Sequence, residues 1–505
     1  MKVLSKLLGG YTTMNISSNE RVNKFLQGKK EMYINGQFVK SATEKTFETF
    51  NPSTGEVLAN VYEGGPEDVD RAAKAARNAF DNGPWLKMDA AERSRLMYKL
   101  ADLMEENAEE LAILETLDNG KPIRESRAVD IPLSIEHLRY YAGWPTKIVG
   151  ETIPVSGNYV NYTRHEPVGV IGQIVPWNLP LLMTMYKMGA PLAAGCTIVL
   201  KPSELSPLTA LYLAELVEEV GFPAGVFNVV PGFGGPVGAE LVEHPMIDMI
   251  GFTGSTPTGK IIMANAAKSL KKVILELGGK SPNIIMPDAD LSKAIPGALH
   301  GVMGNQGQNC TAGSRVYVHK DHYDNVVAEM ADYAKNIKQG IGLNEETEIG
   351  PLISAAQQDK VLDYVEKGIS GGAELLTGGR GDVGNGYFVK PTIFADVDDS
   401  MLIAQEEVFG PVLAAIPFSD LDEVIERANN TEYGLAAGIW TKDVRNAHYM
   451  ANNINAGTVW VNCFNVFDVT SPHGGFKQSG IGKEVGSYGI DNYIDVKSVW
   501  INLDK

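Results

Sequence analysis

Short, mostly apolar runs separated by helical stretches dominate the middle of the chain. Five such runs cover 168–175, 197–200, 226–230, 247–252 and 273–277. Strands that alternate with helices pair in parallel through right-handed crossovers, and strands this apolar are covered on both faces. The pattern therefore predicts a doubly wound parallel α/β sheet, in which ligands bind at the carboxyl ends of the strands.

The alternation of strands and helices continues beyond this sheet and predicts a second α/β unit over 279–478. Its strands include 314–319 and its helices include 324–335. Residues 150–165 and 498–503 carry the pattern of edge strands. We expect these two segments to pair with each other or with another subunit.

The N-terminal part carries two further local signals. Two short apolar runs flank Asn35-Gly36, which predicts a β-hairpin. Residues 90–117 space their leucines and methionines as one face of a helix, with acids between them. They predict one long amphipathic helix that ends at Asn119-Gly120.

Composition narrows the class of protein. A chain of 505 residues, 44% hydrophobic and 21% charged, is an ordinary globular protein of several domains. Its net charge of −18 disfavours nucleic-acid and anionic-membrane partners, and no apolar run is long enough to span a bilayer. Only three cysteines are present, which excludes a disulfide scaffold and fits the cytoplasm.

The first 18 residues allow two interpretations. They contain two lysines near the start and no acid, which fits a targeting segment, but they also lack arginine. The alternative is a tail with the natural start at Met14. The sequence does not decide between the two, and the tail is the simpler expectation.

Two glycine-rich turns lie at strand ends. Gly232, Gly234 and Gly238 follow a strand and open a helix, which favours a dinucleotide diphosphate, although the spacing also fits a plain turn. The turn 254–260 matches the start of a phosphate-binding loop. Ile261 stands where a nucleotide hydrolase needs serine or threonine, so ATP or GTP hydrolysis is disfavoured.

Cys310 is the candidate nucleophile among the cysteines. Its small, polar neighbours predict a turn entering a helix, and a helix N-terminus lowers a thiol pKa. Cys196 and Cys463 lie beside apolar strands and are expected to be buried and inert. No set of cysteines, histidines and carboxylates has the spacing of a metal site, so no metal is expected.

Glu276 is the candidate base. It ends an otherwise apolar strand, and burial raises the pKa of a carboxyl toward the range of base catalysis. The competing interpretation is an ion pair with Lys280 or Arg315.

Two further turns carry groups suited to binding. Asn178 lies between two prolines, which suits a fixed oxyanion donor or, more simply, a capped turn. In 406–411 an acid and an aromatic residue lie close together. The acid suits ribose hydroxyls and the aromatic ring suits a flat ligand ring, although the segment also fits a solvated acidic loop.

Seven motifs in a fixed order make the chain resemble the NAD(P)-dependent aldehyde dehydrogenase superfamily. The resemblance runs from about residue 33 to 503, and thirty-four residues separate Glu276 from Cys310, as in that family. The motifs are PWN at 176–178, KPSE at 201–204, GFTGS at 251–255, ELGGKSP at 276–282, GQNCTAGSR at 307–315, EEVFGP at 406–411 and PHGGFKQSGIG at 472–482.

The resemblance implies a catalytic role for three residues. Cys310 would attack the aldehyde, and the Asn178 amide with the Cys310 backbone N–H would hold the oxyanion. Hydride loss to the nicotinamide would leave a thioester, which a water activated by Glu276 would hydrolyse.

The resemblance also implies a set of cofactor contacts. Lys201 and Glu204 would meet the adenosine ribose, and the Glu204 carboxylate would repel a 2′-phosphate, so NAD is favoured over NADP. Glu407 would bind the nicotinamide ribose and Phe409 would pack beside the nicotinamide. The full implied set is Ile174, Trp177, Lys201, Glu204, Gly234, Gly238, Phe252, Gly254, Ser255, Thr258, Gly259, Leu277, Gln357, Glu407 and Phe409.

The implied substrate tunnel departs from the family. Relatives commonly carry an aromatic residue where His473 stands, and often one where Leu179 stands, while Asn309 adds a polar group beside Cys310. These differences predict a less aromatic pocket that accepts polar or small aliphatic aldehydes. The tunnel residues are Leu179, Met183, Tyr186, Asn309, Thr311, Phe467 and His473.

The domain organisation follows from the same resemblance. Residues 1–143 and 163–278 would bind NAD, and 279–478 would form the catalytic domain. Residues 144–162 and 479–505 would be oligomerisation segments of a homodimer or homotetramer.

Three other functions stay open on the sequence alone. One is a cysteine hydrolase or acyltransferase without redox chemistry, and another is a coenzyme-A-acylating relative. The third is a non-enzymatic protein that keeps the fold. The glycine turns favour the cofactor-dependent enzyme, and Glu276 as a base favours hydrolysis of the acyl intermediate.

Overall fold

Strands of four sheets run through the part of the chain that the structure, a computed structural model, describes: residues 19–504. The question of a targeting segment or a tail at 1–18 lies outside these residues. In chain order the strands are β1 Lys29–Lys30, β2 Met32–Ile34, β3 Gln37–Val39, β4 Thr46–Phe50, β5 Val57–Tyr62, β6 Thr152–Ile153, β7 Tyr159–Pro167, β8 Val170–Ile174, β9 Thr197–Lys201, β10 Phe227–Val229, β11 Met249–Thr253, β12 Lys272–Glu276, β13 Pro282–Ile285, β14 Arg315–His319, β15 Glu374–Thr377, β16 Thr392–Ala395, β17 Val412–Phe418, β18 Ala436–Trp440, β19 Thr458–Val461, β20 Gly480–Ile481 and β21 Ile494–Asn502.

Helices connect the strands of the two larger sheets. They are α1 Glu20–Leu26, α2 Pro66–Asp81, α3 Pro84–Lys87, α4 Ala90–Glu106, α5 Ala108–Asn119, α6 Ile123–Glu125, α7 Ile131–Ala142, α8 Pro180–Ala194, α9 Leu208–Val220, α10 Ala239–Glu243, α11 Thr256–Ala266, α12 Leu291–Met303, α13 Tyr323–Asn336, α14 Ala355–Ser370, α15 Leu402–Gln405, α16 Leu421–Asn429, α17 Val444–Asn453 and α18 Tyr488–Asp491. No helix among the described residues is long and apolar enough to cross a membrane.

The first large sheet is doubly wound. Its strand order is β20-β12-β11-β8-β9-β10-β2-β3, and β12, β11, β8, β9 and β10 pair in parallel. Alternate residues of β8 enter different cores: Val170 and Ile174 pack with α2, α10 and α11, whereas Ile171 packs with α4, α5, α7, α8 and α9. The chain order reverses between β8 and β11, which is where such a sheet opens a crevice for ligands.

The second large sheet follows the same plan. Its order is β15-β16-β17-β14-β13-β18-β19, with only β15 antiparallel within it. Helices α12 and α13 cover one face, and α14, α16 and α17 cover the other. These sheets confirm the predicted α/β fold class.

The two predicted edge segments pair with each other. Strand β21 runs antiparallel to β7 over nine residue pairs. The first pair is Ile494 with Pro167 and the last is Asn502 with Tyr159, and β6 adds a third strand. Several large apolar side chains of this small sheet remain exposed in the single chain, namely Tyr159, Val160, Val496, Trp500 and Ile501.

The prediction of one helix over 90–117 is wrong, because the chain forms α4 and α5 with a break at Asn107. The Asn107 Nδ2 donates to the Leu103 carbonyl at 2.8 Å, and its Oδ1 accepts bonds from Arg21 and the Tyr212 hydroxyl. A side chain that bonds nearby backbone competes with helical hydrogen bonding. The predicted end is confirmed, since α5 stops at Asn119 and Gly120 is left-handed with φ of 93°.

Replacement of Gly120 tests how tightly this helix end is packed. A Cβ at Gly120 would lie 2.9 Å from both Pro52 and Pro351, whereas Gly221, the left-handed cap of α9, has open space. We expect Gly221→Ala to cost only the backbone strain of a left-handed alanine, about 1–2 kcal/mol, and Gly120→Ala to cost roughly 1–3 kcal/mol more. Thermal unfolding of both variants checks this, and equal losses would contradict the packing argument.

Candidate active site

Asn178 is fixed at the end of β8 by other amides. Its side-chain Nδ2 donates to the Gln308 backbone carbonyl at 3.0 Å. Its backbone carbonyl accepts bonds from the side chains of Asn305 at 2.9 Å and Asn119 at 3.3 Å. The side chain is only 5% exposed. Because an amide nitrogen carries two hydrogens, one remains for a ligand near the residues that follow Gln308.

Cys310 lies in the loop between α12 and β14, so the prediction of a helix after it is wrong. Its thiol lies near the N–H groups of Cys310 and Thr311 and 3.8 Å from Asn309 Oδ1. Burial, with Glu407 and Glu276 nearby, raises the thiol pKa to about 12. The predicted lowering of this pKa is therefore wrong as well, since no helix N-terminus faces the sulfur and two carboxyl groups do.

Glu276 is buried at the end of β12 without a hydrogen-bond donor. Neither carboxylate oxygen bonds to any residue in 19–504, and burial together with the neighbouring Glu484 raises its pKa well above the usual value. The alternative of an ion pair finds no support, because Arg315 instead donates to the carbonyls of Lys280 and Ala428. The carboxylate therefore has the properties predicted for a general base.

The other two cysteines differ from each other. Cys196 is fully buried, and burial raises its pKa to about 12, as predicted for an inert residue. Cys463 is half-buried at the margin of an apolar core, which makes it more accessible than predicted.

Six of the predicted cofactor residues form three contacting pairs near the carboxyl ends of the strands of the first sheet. A Cβ on Gly254 would lie 2.4 Å from the Phe252 ring, and one on Gly259 would lie 2.5 Å from Leu277. A Cβ on Gly238 would lie 3.9 Å from the Ile174 side chain, while Gly234 is exposed and has open space around it. Because Gly254 and Gly259 have no side chain, the side chains of Phe252 and Leu277 pack directly on their backbone.

Helix α11 begins at Thr256, so its N-terminus lies at the carboxyl end of β11. Ser255 caps it, accepting from the Thr258 N–H, and the two hydroxyls lie 2.9 Å apart. At the end of β9, Lys201 pairs with Glu204 at 2.9 Å. Free N–H groups at a helix N-terminus suit a diphosphate, and a carboxylate beside them suits ribose hydroxyls.

The segment 406–411 precedes β17 of the second sheet and brings Glu407 and Phe409 against residues of the crevice. Glu407 Oε1 accepts from the Gly279 N–H at 3.0 Å, and burial raises its pKa to about 7. Gln357 Nε2 donates to the Phe409 carbonyl at 2.8 Å, and the Phe409 ring meets Trp177 edge-on at 5.2 Å. Glu407 is therefore half-buried and bonded to the backbone at the site, and it does not belong to a solvated loop.

The predicted tunnel residues form three groups. The rings of Tyr186, His473 and Phe467 form a row, with centroids 6.4 Å and 5.9 Å apart. Thr311 is fully buried and bonds to Asn309 Oδ1 at 3.1 Å, so it supports Asn309. Leu179 and Met183 lie at the start of α8, Leu179 half-buried and Met183 9% exposed.

Comparison with known proteins decides the family. A model of the aldehyde dehydrogenase family matches residues 38–499. The chain belongs to the aldehyde dehydrogenase family. This confirms the resemblance, the fold class and the prediction of an enzyme of this type.

Individual members of the aldehyde dehydrogenase family match almost end to end. The chain is 64% identical over 493 residues to DhaS of Bacillus subtilis (strain 168), covering 98% of this chain and 100% of that protein. It is 51% identical over 475 residues to the mitochondrial aldehyde dehydrogenase of Homo sapiens, covering 94% and 92%. The NAD+ complex of aldehyde dehydrogenase from Bacillus cereus matches with a TM-score of 0.95 at 57% identity, covering 96% and 99%.

Sequence reasoning missed two residues at the site of this aldehyde dehydrogenase. Lys187 and Glu484 form a buried ion pair, and Glu484 faces Glu276 closely enough to raise its pKa. Lys187 is the only charged residue in the mostly apolar α8. A lone lysine in such a helix requires a buried partner, and that signal was available in the sequence.

The raised thiol pKa predicts how Cys310 reacts in the ligand-free enzyme. Because only the thiolate is alkylated, labelling by iodoacetamide should rise about tenfold per pH unit between pH 7 and 9. Glu276→Gln removes one of the carboxyls that raise this pKa and should speed labelling at a given pH. Mass spectrometry of the Cys310 peptide measures both rates, with buried Cys196 as the internal control. A plateau below pH 8 would contradict the prediction.

Proposed function

We propose that this protein oxidises an aldehyde to a carboxylic acid with NAD as hydride acceptor. One observation carries the proposal: a thiol, a spare amide hydrogen and a carboxylate without donors meet beside a glycine-lined crevice. A nucleophile, an oxyanion donor and a base are the groups that thioester chemistry needs. The B. cereus relative with bound NAD+ supports the choice of cofactor.

The crevice residues fit NAD. The capped N-terminus of α11 suits the diphosphate, Lys201 with Glu204 suits the adenosine ribose, and half-buried Glu407 suits the nicotinamide ribose. The other contacts with NAD that the family resemblance implies would come from the three glycine–side-chain pairs of the crevice and from Trp177, Gln357 and Phe409. When bound, NAD+ supplies an acceptor for the hydride that leaves the substrate carbon.

Covalent catalysis starts at Cys310. Its sulfur attacks the aldehyde carbon, and the thiol proton is released as the carbonyl oxygen becomes an oxyanion. The Asn178 amide and the Cys310 N–H stabilise that charge, which makes the carbon a better hydride donor. Loss of the hydride leaves a thioester on Cys310.

Hydrolysis uses Glu276. Its raised pKa lets the carboxylate take a proton from the attacking water, and collapse of the adduct releases the acid and the sulfur. One aldehyde, one NAD+ and one water give one carboxylate, one NADH and two protons. Lys187 and Glu484 position and tune this base rather than contact substrate.

The wider organisation is also part of the proposal. Residues 1–143 and 163–278 form the NAD-binding domain, 279–478 the catalytic domain, and 144–162 with 479–505 the oligomerisation segments. The exposed apolar side chains on the β6-β7-β21 sheet support a homodimer or homotetramer. The acidic composition and scarce cysteines support a cytoplasmic enzyme.

A cysteine hydrolase or acyltransferase is the main alternative. It would use Cys310 and Glu276 but would leave the crevice and Glu407 without a role. A coenzyme-A-acylating enzyme would not need a base with the properties of Glu276. Ester cleavage without NADH formation would favour the first, and acyl-coenzyme A formation the second.

Replacement of Cys310 tests the proposed reaction. With NAD and propanal, the wild type should raise the absorbance at 340 nm, and Cys310→Ala should abolish the signal while Cys463→Ala retains it. Absence of NADH formation by the wild type over several aldehydes and both cofactors would overturn the proposal.

Replacement of Glu204 tests cofactor choice. Glu204→Gln removes a charge that opposes a 2′-phosphate and frees the Lys201 cation, so kcat/KM with NADP should rise about tenfold or more. The control Glu219→Gln changes an exposed acid on α9 and should leave the NADP to NAD ratio unchanged. An unchanged ratio in Glu204→Gln would exclude this role.

A further inference from the structure

Two polar rings in the row of tunnel residues have no hydrogen-bond partner. The hydroxyl of Tyr186 and the ring nitrogens of His473 bond to no residue within 19–504. Both side chains are only half-buried, so these polar atoms stay accessible. By contrast, His137, which stacks on the far side of Tyr186 at 4.6 Å, is fully buried.

The backbone fixes His473 beside the base. Its N–H and carbonyl bond reciprocally to Glu484 at 2.7 Å each. The next residue is Gly474, where a Cβ would lie 2.7 Å from Glu276 Oε1. The backbone of residues 473 and 474 therefore runs beside the Glu276 carboxyl group.

Tyr186 lies close to Cys310 and Glu276. Burial, then Glu484, and then Cys310 and Glu276 raise the pKa of its hydroxyl. The centroids of the Tyr186 and His473 rings are 6.4 Å apart at 66°. A small polar group between the two rings would lie within reach of both polar atoms.

The charges around the Tyr186 and His473 rings favour a neutral substrate group. Burial, with Lys483 and Lys187 nearby, lowers the pKa of His473 to about 4, so the ring is neutral in the physiological range. A neutral imidazole has one donor and one acceptor, and a tyrosine hydroxyl can act as either. The two lysines oppose a cationic group, while Glu276 and Glu484 oppose an anionic one.

We propose that Tyr186 and His473 together recognise a neutral hydroxyl group on the substrate, and that His473 determines specificity for hydroxyaldehydes over plain alkyl aldehydes. This inference rests on the proposed aldehyde oxidation. A site with unpaired polar groups disfavours an analogue that lacks the matching hydroxyl, because those groups lose water without gaining a partner.

Isosteric substrate pairs test the proposal. Glycolaldehyde against propanal, and 3-hydroxypropanal against butanal, exchange a hydroxyl for a methyl group. With concentrations corrected for hydration of each aldehyde, kcat/KM of the wild type should favour the hydroxyaldehyde by about 10–100-fold in at least one pair. A ratio of one or less in both pairs overturns the proposal.

Variants assign the preference to the two rings. His473→Phe keeps an aromatic ring but removes both nitrogens, so the ratio should fall to about one, and Tyr186→Phe should lower it in part. His473→Gln restores a donor and an acceptor and should retain part of the preference. Retention of the full ratio in His473→Phe would overturn the role of His473.

A control variant and a baseline separate the possible failures. Phe467→Leu changes the third ring of the row, which has no polar atom, and should change both substrates of a pair alike. Oxidation of propanal without any hydroxyl preference overturns this inference alone. No oxidation of any aldehyde by the wild type overturns the proposed function and this inference with it.

Discussion

Burial of a carboxyl group without a hydrogen-bond donor is unfavourable, and the arrangement of the site depends on that constraint at Glu276. A parallel strand carries Glu276 to the edge of the sheet, where Gly474 leaves space for its oxygens. No donor among the described residues stabilises the charged form, so the proton is held more tightly than in water. The raised pKa, which the proposed activation of water needs, follows from burial without such a partner.

Neighbouring charges of both signs adjust the pKa of Glu276. Glu484 raises the pKa of Glu276, whereas Lys187 and Lys483 lower it. Because Lys187 is paired with Glu484, its effect on Glu276 is partly offset. The buried pair thus tunes the base, and it also anchors the strand-like segment that carries His473.

Much of the fold and of the site could be predicted from the sequence, because the signals are local. The five apolar runs became the parallel strands β8 to β12, and Glu276 lies at a strand end as its sequence position predicts. The break at Asn107 could not be predicted, since it depends on bonds from Arg21 and Tyr212, which are remote in sequence.

Long-range contacts explain the other differences. The electrostatics of Cys310 were predicted with the wrong sign because polar, glycine-rich neighbours suit a loop before a strand as well as one before a helix. The pairing of β7 with β21 joins segments more than 300 residues apart, so edge-strand patterns alone did not identify the partner.

A neutral ring at His473 adds no charge near Glu276, whereas a charged ring would add to the effect of Lys187 and Lys483, which already lower its pKa. A cation beside Glu276 would stabilise the carboxylate and lower its pKa, which would weaken the base. Histidine becomes cationic only when its pKa is reached, and burial with two lysines places that pKa at about 4. Above that pH the ring offers hydrogen bonds without adding charge. Histidine therefore adds polarity to the tunnel without a further charge, whereas an arginine or lysine at the same position would add a third cation and lower the pKa of Glu276 further.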